Sequence, residues 1–476
     1  MTQTLYNTLT RRKEPLQTIE PGVVRLYVCG VTTYDSAHVG HAMSYLVFDT
    51  IRRWLEHRGY RVRHVQNFTD VDDKIIARAN REGVSAYEIA DRFAREFTVE
   101  MDRLGILPAA IYPRVSSEMP AIVAMIQRLV DAENAYAAPN GDVYFDVASA
   151  DHYGALSGRV LDAAEPQESP SPHKRGPHDF ALWKTAKPGE PAWDAPWGAG
   201  RPGWHIECSA MARAHLGEQI DIHGGGSDLI FPHHENEIAQ SEAACGCAPF
   251  ARYWVHNGLV QVGQEKMSKS LGNIVPIRAF LGEHEPEALR LFVHTSHYRS
   301  PTTLTDDAIA AATAGLERMR GAMRPAHAHP GAPRAGAAEA AALAEAAARA
   351  TADATAAMDD DFGTPGALAA LFALVTEINR AREAGVPAAD LDAAQSVLAD
   401  MAAVLGYDLR AGYARRAEGA AGGAEAAPFV ELLVALRNQA RADRDWALAD
   451  RLRDALAEHG VVLEDVAGGG TTWRIR

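Results

Sequence analysis

The stretch from Leu26 to His41 constrains the fold of this chain most, because it joins an apolar segment to a helix start through several reactive side chains. Val23 to Val28 is a short, largely apolar run that ends just before Gly30. This pattern predicts a buried strand that carries Cys29 to its C-terminal end. Ligands bind at that edge in open α/β sheets. We therefore predict an α/β fold with a binding site beside Cys29.

Two histidines follow the strand at a spacing that suits the start of a helix. The pattern predicts a helix from about Ala37, and His38 and His41 would share one face of its first turn. Backbone N–H groups and the positive end of the helix dipole favour a phosphate there, while Gly40 leaves room for a flat ring. This indicates a nucleotide phosphate site, although two surface histidines would also produce such a short pattern.

Length and charge limit the classes of protein to which this chain could belong. Its 476 residues, 47% of them hydrophobic, suffice for two to four globular domains. It has neither an N-terminal apolar leader nor an uncharged apolar run of the ~18 residues that a membrane span needs, so we expect a cytoplasmic protein with no membrane contact. Its four cysteines, at positions 29, 208, 245 and 247, argue against a disulfide framework.

The net charge of −15 argues against indiscriminate nucleic-acid binding, because neutralising phosphates takes clustered Lys and Arg. The distribution of charge matters more than its sum. Residues 411–476 are nearly neutral, with nine Arg or Lys against ten Asp or Glu.

The next segments predict alternating helices and strands. Helical patterning continues from Phe48 to Arg58, and a second strand is expected from Arg61 to Phe68. Asp72 and Asp73 could be ligand-binding carboxylates, but we favour an acidic first turn of a helix. Further on we predict helical patterning up to Leu104, a helix from Met119 to Ala132 and a hairpin strand from Gly141 to Phe145, where an inserted module starts.

The segment from Ala164 to Gly203 is rich in Pro, Gly and charge, which predicts that it is largely loop. Trp183, Trp193 and Trp197 are expected to pack onto a neighbouring domain. Trp204 is expected to have a different role because of the residues that follow it.

A candidate metal site combines residues from three parts of the chain. The segment after Phe231 predicts a helix with Pro in its first turn, on which His233 and Glu237 face the same way. With Cys29 and Cys208 they offer two thiolates, an imidazole and a carboxylate, a set that zinc accepts. An isolated His-x-x-x-Glu is, however, also a common surface pair.

Three neighbouring residues are not expected to bind this metal. His234 is rotated about 100° from His233 on an α-helix, so it cannot join with equal geometry. Cys245 and Cys247 are one residue closer together than the usual Cys-x-x-Cys, and we interpret them as reduced thiols.

Two further segments indicate nucleotide chemistry. Ile220 to His223 predicts a buried strand that breaks at Gly224–Gly226, where the backbone could approach a ligand closely. Asp228 could reach a ribose hydroxyl or an ammonium group, although a flexible turn with a capping Asp explains the pattern equally well. Lys266 and Lys269 lie on a predicted polar loop that could close over a polyphosphate, with a solvated basic turn as the alternative.

These motifs resemble those of one enzyme family. His38-Val39-Gly40-His41 and Lys266-Met267-Ser268-Lys269-Ser270 are similar to the paired signatures of class I aminoacyl-tRNA synthetases, with Val39 in place of the commoner Ile. Within that class, the segments Tyr27–Gly30, Gly203–Cys208 and His223–Glu237 resemble the cysteinyl-tRNA synthetase family. The resemblance is dense from residue 2 to about residue 310.

The resemblance implies a Rossmann-type parallel-sheet catalytic domain split by an insertion, followed by an α-helical bundle and a small C-terminal anticodon-binding domain. The implied ranges are 1–115 and 203–248 for the two halves of the catalytic domain, 116–202 for the inserted (connective) module, 249–323 for a stem-contact region with the lysine loop, 324–410 for the bundle and 411–476 for the anticodon-binding domain.

The resemblance also implies a function. The enzyme would activate L-cysteine with ATP and would transfer cysteine to the 3′ end of tRNA(Cys) as a monomer. The implied zinc ligands are Cys29, Cys208, His233 and Glu237. The implied catalytic residues are His38, His41, Lys266 and Lys269. ATP would also contact Gly40, Gly225 and Asp228, and the amino acid would contact Thr69, Trp204, His223 and Asp228.

Two points of chemistry follow from that implied function. Mg²⁺ would accompany ATP as it binds. The thiolate of a cysteine substrate is a soft ligand that can bind zinc, whereas the hydroxyl of serine is held less well, so the metal would supply the selectivity and no editing domain is expected.

The C-terminal third of the chain predicts helices separated by two linkers. The alanine-rich run from Ala337 to Ala357 and the amphipathic segments Leu368–Arg382 and Ala393–Leu405 fit a bundle, and residues 324–330 and 410–427 are the predicted linkers. A last helix is predicted from Phe429 to His459.

The last predicted helix carries Arg437, Arg441 and Trp446. Taken alone, these residues fit a solvated helix. The resemblance extends through Arg437–Arg441 and favours instead stacking and pairing with single-stranded tRNA bases.

Two rival functions remain open at this point. An amide-forming ligase that passes cysteine to an aminosugar would use the same adenylate and zinc site, but it should lack the C-terminal domain with Arg and Trp. A catalytically silent RNA-binding or regulatory protein would be expected to have lost a signature histidine or lysine, and the sequence retains all four.

Overall fold

The computed structural model describes residues 2–160, 168, 170–262, 265–266, 274–326, 336–414, 427–459, 461–466 and 470–475. The strands are β1 (Thr4–Asn7), β2 (Arg12–Pro15), β3 (Val23–Thr32), β4 (Arg61–Thr69), β5 (Ala135–Ala137), β6 (Val143–Phe145), β7 (Phe180–Thr185), β8 (Gly200–Pro202), β9 (Ile220–Gly226), β10 (Ala251–Asn257), β11 (Val260–Val262), β12 (Glu265–Lys266), β13 (Thr302–Leu304), β14 (Val461–Val466) and β15 (Gly470–Ile475).

The α-helices that position the site and the domains are α1 (Val39–His57), α2 (Asp73–Glu82), α3 (Ala86–Arg103), α4 (Met119–Asp131), α5 (Trp204–Leu216), α6 (Glu235–Cys245), α7 (Ile277–Glu283), α8 (Pro286–His294), α9 (Asp306–Ala322), α10 (Ala337–Asp359), α11 (Thr364–Ala384), α12 (Ala388–Val404), α13 (Ala427–Ala442) and α14 (Trp446–Glu458). Within the described ranges, no helix has both the length and the apolar character that crossing a membrane requires.

A four-stranded parallel sheet in the order β10-β9-β3-β4 forms the centre of the catalytic region. The two predicted strands of the first half are confirmed. The prediction that Gly30 ends the first strand is wrong, because β3 continues to Thr32 with a register shift between Val28 and Val31. A Cβ added at Gly30 would lie 1.5 Å from the backbone oxygen of Asn67, so only glycine allows this close approach of β3 to β4.

Helix α1 follows β3 and packs one face into the core. Ala42, Leu46 and Trp54 are fully buried on that face, and burying a side chain such as Leu contributes about 1.5–3 kcal/mol. The predicted cap of α2 is also confirmed, because the Asp72 carboxylate accepts the backbone N–H of Lys74 at 2.8 Å.

The inserted module contains an antiparallel sheet in the order β5-β6-β7-β8. The prediction that residues 164–203 are largely loop is wrong for β7 and β8, because Phe180 to Trp183 is an uninterrupted apolar run that pairs with β6. Residues 161–167 and 169 lie outside the described residues. As predicted, Trp183 is buried in the core that the module shares with the parallel sheet, and Trp193 and Trp197 pack against that core.

The predicted helical bundle is confirmed as α10, α11 and α12, which bury Leu343, Leu371 and Leu398. The bundle belongs to one compact unit, residues 1–319 and 326–407, and residues 320–325 and 408–476 form a second unit. The predicted linkers fall partly on residues 327–335 and 415–426, which lie outside the described residues.

The second unit contains α13, α14 and the hairpin β14-β15, with Val430, Val434, Leu456 and Val461 in its core. The prediction of a single helix from Phe429 to His459 is wrong. Arg444 has a left-handed backbone with φ of 64°, and the Asp445 carboxylate accepts the N–H of Leu448, so a new helix starts there.

Candidate functional site

A cleft of about 380 Å³ opens at the C-terminal end of β3, where the parallel sheet meets the start of α1. Its walls include residues from four parts of the chain that the sequence singled out. The lining residues that matter below are Cys29, His38, Gly40, His41, Trp204 and Asp228. The location agrees with the prediction that ligand chemistry lies at the carboxyl edge of the sheet.

His38 and His41 lie together at the N-terminus of α1, as predicted. His38 is the N-cap residue, and its backbone N–H donates to Nδ1 of His41 at 3.3 Å. The two rings stack with centroids 3.8 Å apart. Because Nδ1 of His41 accepts a hydrogen bond, the proton of its neutral ring is on Nε2.

The segment after the predicted lysine loop is attached to this histidine pair. The N–H of Val39 donates to the oxygen of Val275 at 3.0 Å, and the N–H of Ile277 donates to the oxygen of Ala37 at 3.1 Å. Lys266 lies in β12, while its side chain and the whole of Lys269 lie outside the described residues. The described segment from Val275 to Ile277 is therefore hydrogen-bonded to the start of α1.

The four candidate metal ligands converge on one buried point beside the cleft. Cys29 lies on β3, Cys208 on α5, His233 just before α6 and Glu237 on α6. The sulfur atoms of Cys29 and Cys208 are 3.8 Å apart, Cys29 Sγ is 3.6 Å from Glu237 Oε1, and His233 Nε2 is 3.1 Å from the same oxygen. One donor atom from each residue lies within 4.8 Å of all the others.

The helix that carries Glu237 starts later than predicted, and His233 lies just before it. The backbone between Ile230 and His234 is kinked, because Phe231 is extended with φ of −138°, and α6 begins only at Glu235. The spacing of His233 and Glu237 nevertheless places both on the same side.

His234, for which the α-helical spacing predicts no place in this site equal to that of His233, nevertheless lies close to it. His234 precedes Glu237 by three residues, a spacing that also makes two side chains of a helix neighbours, and its Nε2 lies 4.0 Å from Glu237 Oε1. His234 Nε2 lies 3.3 Å from Cys29 Sγ, so Cys29, His223, His234 and Glu237 form a second group of possible ligands that shares two members with the first.

Charges within the cluster shift the pKa values of its members. Burial alone would raise the pKa of Glu237, but His223 and His233 outweigh it and lower the pKa to about 2. Burial alone would lower the pKa of His233, but Glu237 and Cys208 raise it to about 10. The hydrogen bond from Cys29 lowers the pKa of Cys208 to about 6, whereas burial raises that of Cys29. The cluster therefore favours the anionic forms of Glu237 and Cys208 even without an ion, whereas it favours the neutral thiol of Cys29.

The other residues predicted to contact substrates take different positions. Trp204, 39% exposed, stacks on His233 with ring centroids 4.3 Å apart and lines the cleft, as Asp228 does. Thr69 is buried and donates to Glu207 Oε2 at 2.9 Å. His223 is buried, with Nε2 at 2.9 Å from Glu237 Oε2.

The three glycines at the end of β9 leave room for neighbouring side chains, and one of them also lines the cleft. The prediction that the strand breaks at Gly224 is wrong, because β9 continues to Gly226. A Cβ at Gly224 would lie 2.2 Å from the ring of Phe48, and one at Gly225 would lie 2.9 Å from the ring of His234. Of these three glycines, Gly226 lines the cleft.

In the second unit, the three residues predicted to contact nucleic acid differ in exposure. Trp446 is 58% exposed at the start of α14, and Arg441 is exposed near the end of α13. Arg437 is only 7% exposed, and its guanidinium donates to Thr471 Oγ1 at 3.2 Å, which ties α13 to the hairpin.

Sequence reasoning missed several residues around the cluster. His205 and His256 are buried beside it, where they contact His233 and His234, and the sequence signal for His205 was its place between Trp204 and Cys208. The interpretation of Cys245 and Cys247 as reduced thiols is wrong, since the structure joins them in a disulfide. Gly246 between them has a left-handed backbone that ends α6 and brings their Cα atoms to 5.2 Å.

Comparisons with known families match almost the whole chain. Residues 15–314 match the family described as tRNA synthetases class I (C) catalytic domain, residues 354–410 match the DALR domain, and residues 425–474 match the cysteinyl-tRNA ligase anticodon binding domain.

Several relatives that match over their full length share one name. A protein of Alkalilimnicola ehrlichii named cysteine–tRNA ligase is 49% identical over 472 residues, which cover 99% of each chain. Proteins of the same name from Dehalococcoides mccartyi and Chromobacterium violaceum are 46% and 47% identical over 99% of each chain.

Solved structures share the fold at lower sequence identity. A Mycobacterium tuberculosis methionyl-tRNA synthetase in complex with methionyl-adenylate has a TM-score of 0.58 at 17% identity and covers 80% of this chain and 89% of its own. A leucyl enzyme of Agrobacterium radiobacter, in a ternary complex described as LeuRS-tRNA-LeuAMS, has a TM-score of 0.57 at 12% identity, with 83% and 86% covered.

Proposed function

Because this chain belongs to the cysteine–tRNA ligase family of class I aminoacyl-tRNA synthetases, we propose that it uses the buried Cys/His/Glu cluster to hold zinc and to select cysteine against serine. The enzyme class sets the substrates as an amino acid, ATP and tRNA. The proposal of a zinc site rests on one observation, that four donor atoms beside the cleft all lie within 4.8 Å of one another.

The donor set fits zinc. Two sulfur atoms, an imidazole nitrogen and a carboxylate oxygen are ligands that zinc accepts, and all four residues are buried. Cys29, Cys208, His233 and Glu237 would hold the ion, which when bound would coordinate the thiolate of the substrate. Because Cys29 also lines the cleft, a substrate in the cleft could present its sulfur to that point.

The residues of the cleft would bind and orient the other reacting groups. In the activation step, a carboxylate oxygen of cysteine attacks the α-phosphorus of ATP, which forms cysteinyl adenylate and releases pyrophosphate. His41, whose Nε2 carries the ring proton, and His38 stand at the N-terminus of α1, where phosphate charge is stabilised. Lys266 and Lys269 would add positive charge, and Mg²⁺ would accompany ATP.

Six further residues would complete the substrate site. Trp204 forms a wall of the cleft next to His233. Asp228 also lines the cleft, where its carboxylate could bind the ribose hydroxyls or the ammonium group of cysteine. Gly40 lines the cleft and would allow the nucleotide to approach, Gly225 would act from the position next to the cleft-lining Gly226, and Thr69 and His223 would support the amino-acid pocket from buried positions.

The second step transfers cysteine to the 3′ end of tRNA(Cys). The exposed Trp446 and Arg441 of the C-terminal unit suit stacking on and pairing with unpaired anticodon bases, and Arg437 supports them through its bond to Thr471. We propose that the enzyme acts as a monomer in the cytoplasm.

The C-terminal domain disfavours the aminosugar ligase as an alternative. Such an enzyme should lack this domain, whereas residues 425–474 match an anticodon-binding family. The four signature residues of the sequence also disfavour a silent relative.

Exchange of pyrophosphate into ATP tests the proposed function directly. Purified protein should catalyse the exchange with cysteine and far less with serine, and it should charge tRNA(Cys). Cys208→Ser should lose most of its bound zinc and most of the exchange. Full zinc content and unchanged selectivity in Cys208→Ser would contradict the proposal.

A further inference from the structure

Two buried histidines each lie within hydrogen-bond distance of one proposed ligand, and we infer that His205 and His223 are positioning residues of the metal site. His205 would fix the ring of His233, and His223 would fix the carboxylate of Glu237. The inference rests on the proposed function, because it takes His233 and Glu237 as ligands.

The geometry of His205 determines which nitrogen of His233 can bind an ion. The Nδ1 atoms of the two rings are 3.0 Å apart, while Nε2 of His233 faces Glu237 Oε1. A neutral imidazole has one N–H group, so binding through Nε2 requires the proton on Nδ1, from which it is donated to His205. His205 must then be the acceptor.

His205 is itself held in place. Its ring meets the ring of Phe180 edge to face at a centroid distance of 5.5 Å. Its backbone oxygen accepts a hydrogen bond from the side chain of Gln240 on α6. The ring is therefore fixed relative to both helices that carry ligands.

His223 contacts one carboxylate oxygen of Glu237 and leaves the other for the ion. Its Nε2 lies 2.9 Å from Oε2, whereas Oε1 faces His233 and Cys29. The ring of His223 stacks on Trp254 with centroids 4.5 Å apart. A donor from His223 thus holds Oε2 and leaves Oε1 directed at the ion.

One alternative uses the same residues differently. In the second ligand group, His223 and His234 would bind the ion themselves. His256 would then orient His234, since its Nε2 lies 2.8 Å from His234 Nδ1. The experiment must therefore separate a positioning residue from a ligand.

Replacing His205 and His223 each by Asn and by Gln distinguishes a positioning residue from a ligand. The side-chain amide of Asn reaches the position of Nδ1, and that of Gln reaches the position of Nε2. Zinc affinity is measured on the full-length protein by competition with a chromophoric chelator, with thermal unfolding as a check on folding. His205 acts through Nδ1 and His223 through Nε2, so the two sites should rank the same amides in opposite order.

We expect His205→Asn and His223→Gln to keep zinc affinity near that of the wild type. His205→Gln and His223→Asn should weaken it by about 10- to 100-fold, the usual effect of losing such a partner. His256→Gln is the matched control and should leave the zinc affinity unchanged. His256 is also buried, but its ring nitrogens contact His234 and Thr8 rather than one of the four proposed ligands.

Three results would overturn the inference. Equal affinity in all four variants, with zinc lost in Cys208→Ser, removes the positioning role and leaves the proposed function intact. Weak binding in both His223 variants and in His256→Gln assigns the ion to the second ligand group. A wild-type protein without zinc, or full zinc in Cys208→Ser, refutes the proposed function itself.

Discussion

At the scale of single residues, the chemistry of the site depends on four buried side chains whose donor atoms lie within 4.8 Å of one another. The types and spacing of Cys29, Cys208, His233 and Glu237 identified a set that the fold brings together. The place of His234 was missed because the 100° step from His233 was weighed without its i,i+3 spacing to Glu237, which brings His234 Nε2 to 4.0 Å from Glu237 Oε1. The disulfide of Cys245 and Cys247 depends on the left-handed Gly246, which the spacing did not indicate.

Gly30→Ala tests the close approach of β3 to β4. The new Cβ would meet the backbone oxygen of Asn67, so we expect a destabilisation of about 1–3 kcal/mol, seen as a lower Tm. Gly282→Ala is the matched control, because it lies in α7 with no atom within 4 Å of the added Cβ. It should be neutral or slightly stabilising. An equal Tm for both variants would refute the steric argument.

Glu100 on α3 gives a pH-dependent prediction away from the metal site. Burial and then the nearby Glu96 raise its pKa from 4.5 to about 7. The folded state therefore holds this proton more tightly than the unfolded state, and its contribution to stability falls as pH rises from about 4.5 to 7. Glu100→Gln should raise the Tm at pH 8 by roughly 2 °C or more relative to wild type, with little change at pH 5. A wild-type advantage at pH 8 would contradict this.

At the scale of elements, helix α6 connects the inserted module to the metal site. The buried carboxylate of Glu235 accepts backbone N–H groups from Gly154 at 2.9 Å and from Ser157 at 2.8 Å. The neighbouring Asn236 bonds Tyr153, and Glu237 belongs to the ligand cluster. The sequence predicted the helix but not these links, because they join residues about 80 positions apart.

Glu235→Ala should loosen the module. Leaving buried N–H groups without an acceptor costs about 1–3 kcal/mol each, so we expect a lower Tm and faster proteolysis near residues 150–160. Glu235→Gln keeps an acceptor oxygen and should lie between wild type and Glu235→Ala. Cleavage of Glu235→Ala at the wild-type rate would show that the link does not hold the loop.

At the scale of the whole molecule, the resemblance of the motifs predicted the order of domains, and the family matches agree with that order. The pattern of apolar residues predicted the ends of helices and strands less reliably than it predicted their presence. The break between α13 and α14 was missed because amphipathic spacing continues through it, while Arg444 and Asp445 change the backbone direction.

Trp446→Ala tests whether the C-terminal unit binds tRNA. Losing one base-stacking contact costs about 1–3 kcal/mol, so the KM for tRNA should rise roughly 5- to 150-fold while pyrophosphate exchange stays unchanged. Trp446→Phe keeps an aromatic face and should recover most of the affinity. Equal KM values for wild type and Trp446→Ala would exclude the contact.

X-ray absorption at the zinc edge tests the central claim most directly, because it reports the atoms bound to the ion in the full-length protein. We predict two sulfur neighbours at about 2.3 Å without substrate and a third when cysteine is added, with no change on adding serine. An unchanged sulfur count in the presence of saturating cysteine would contradict it.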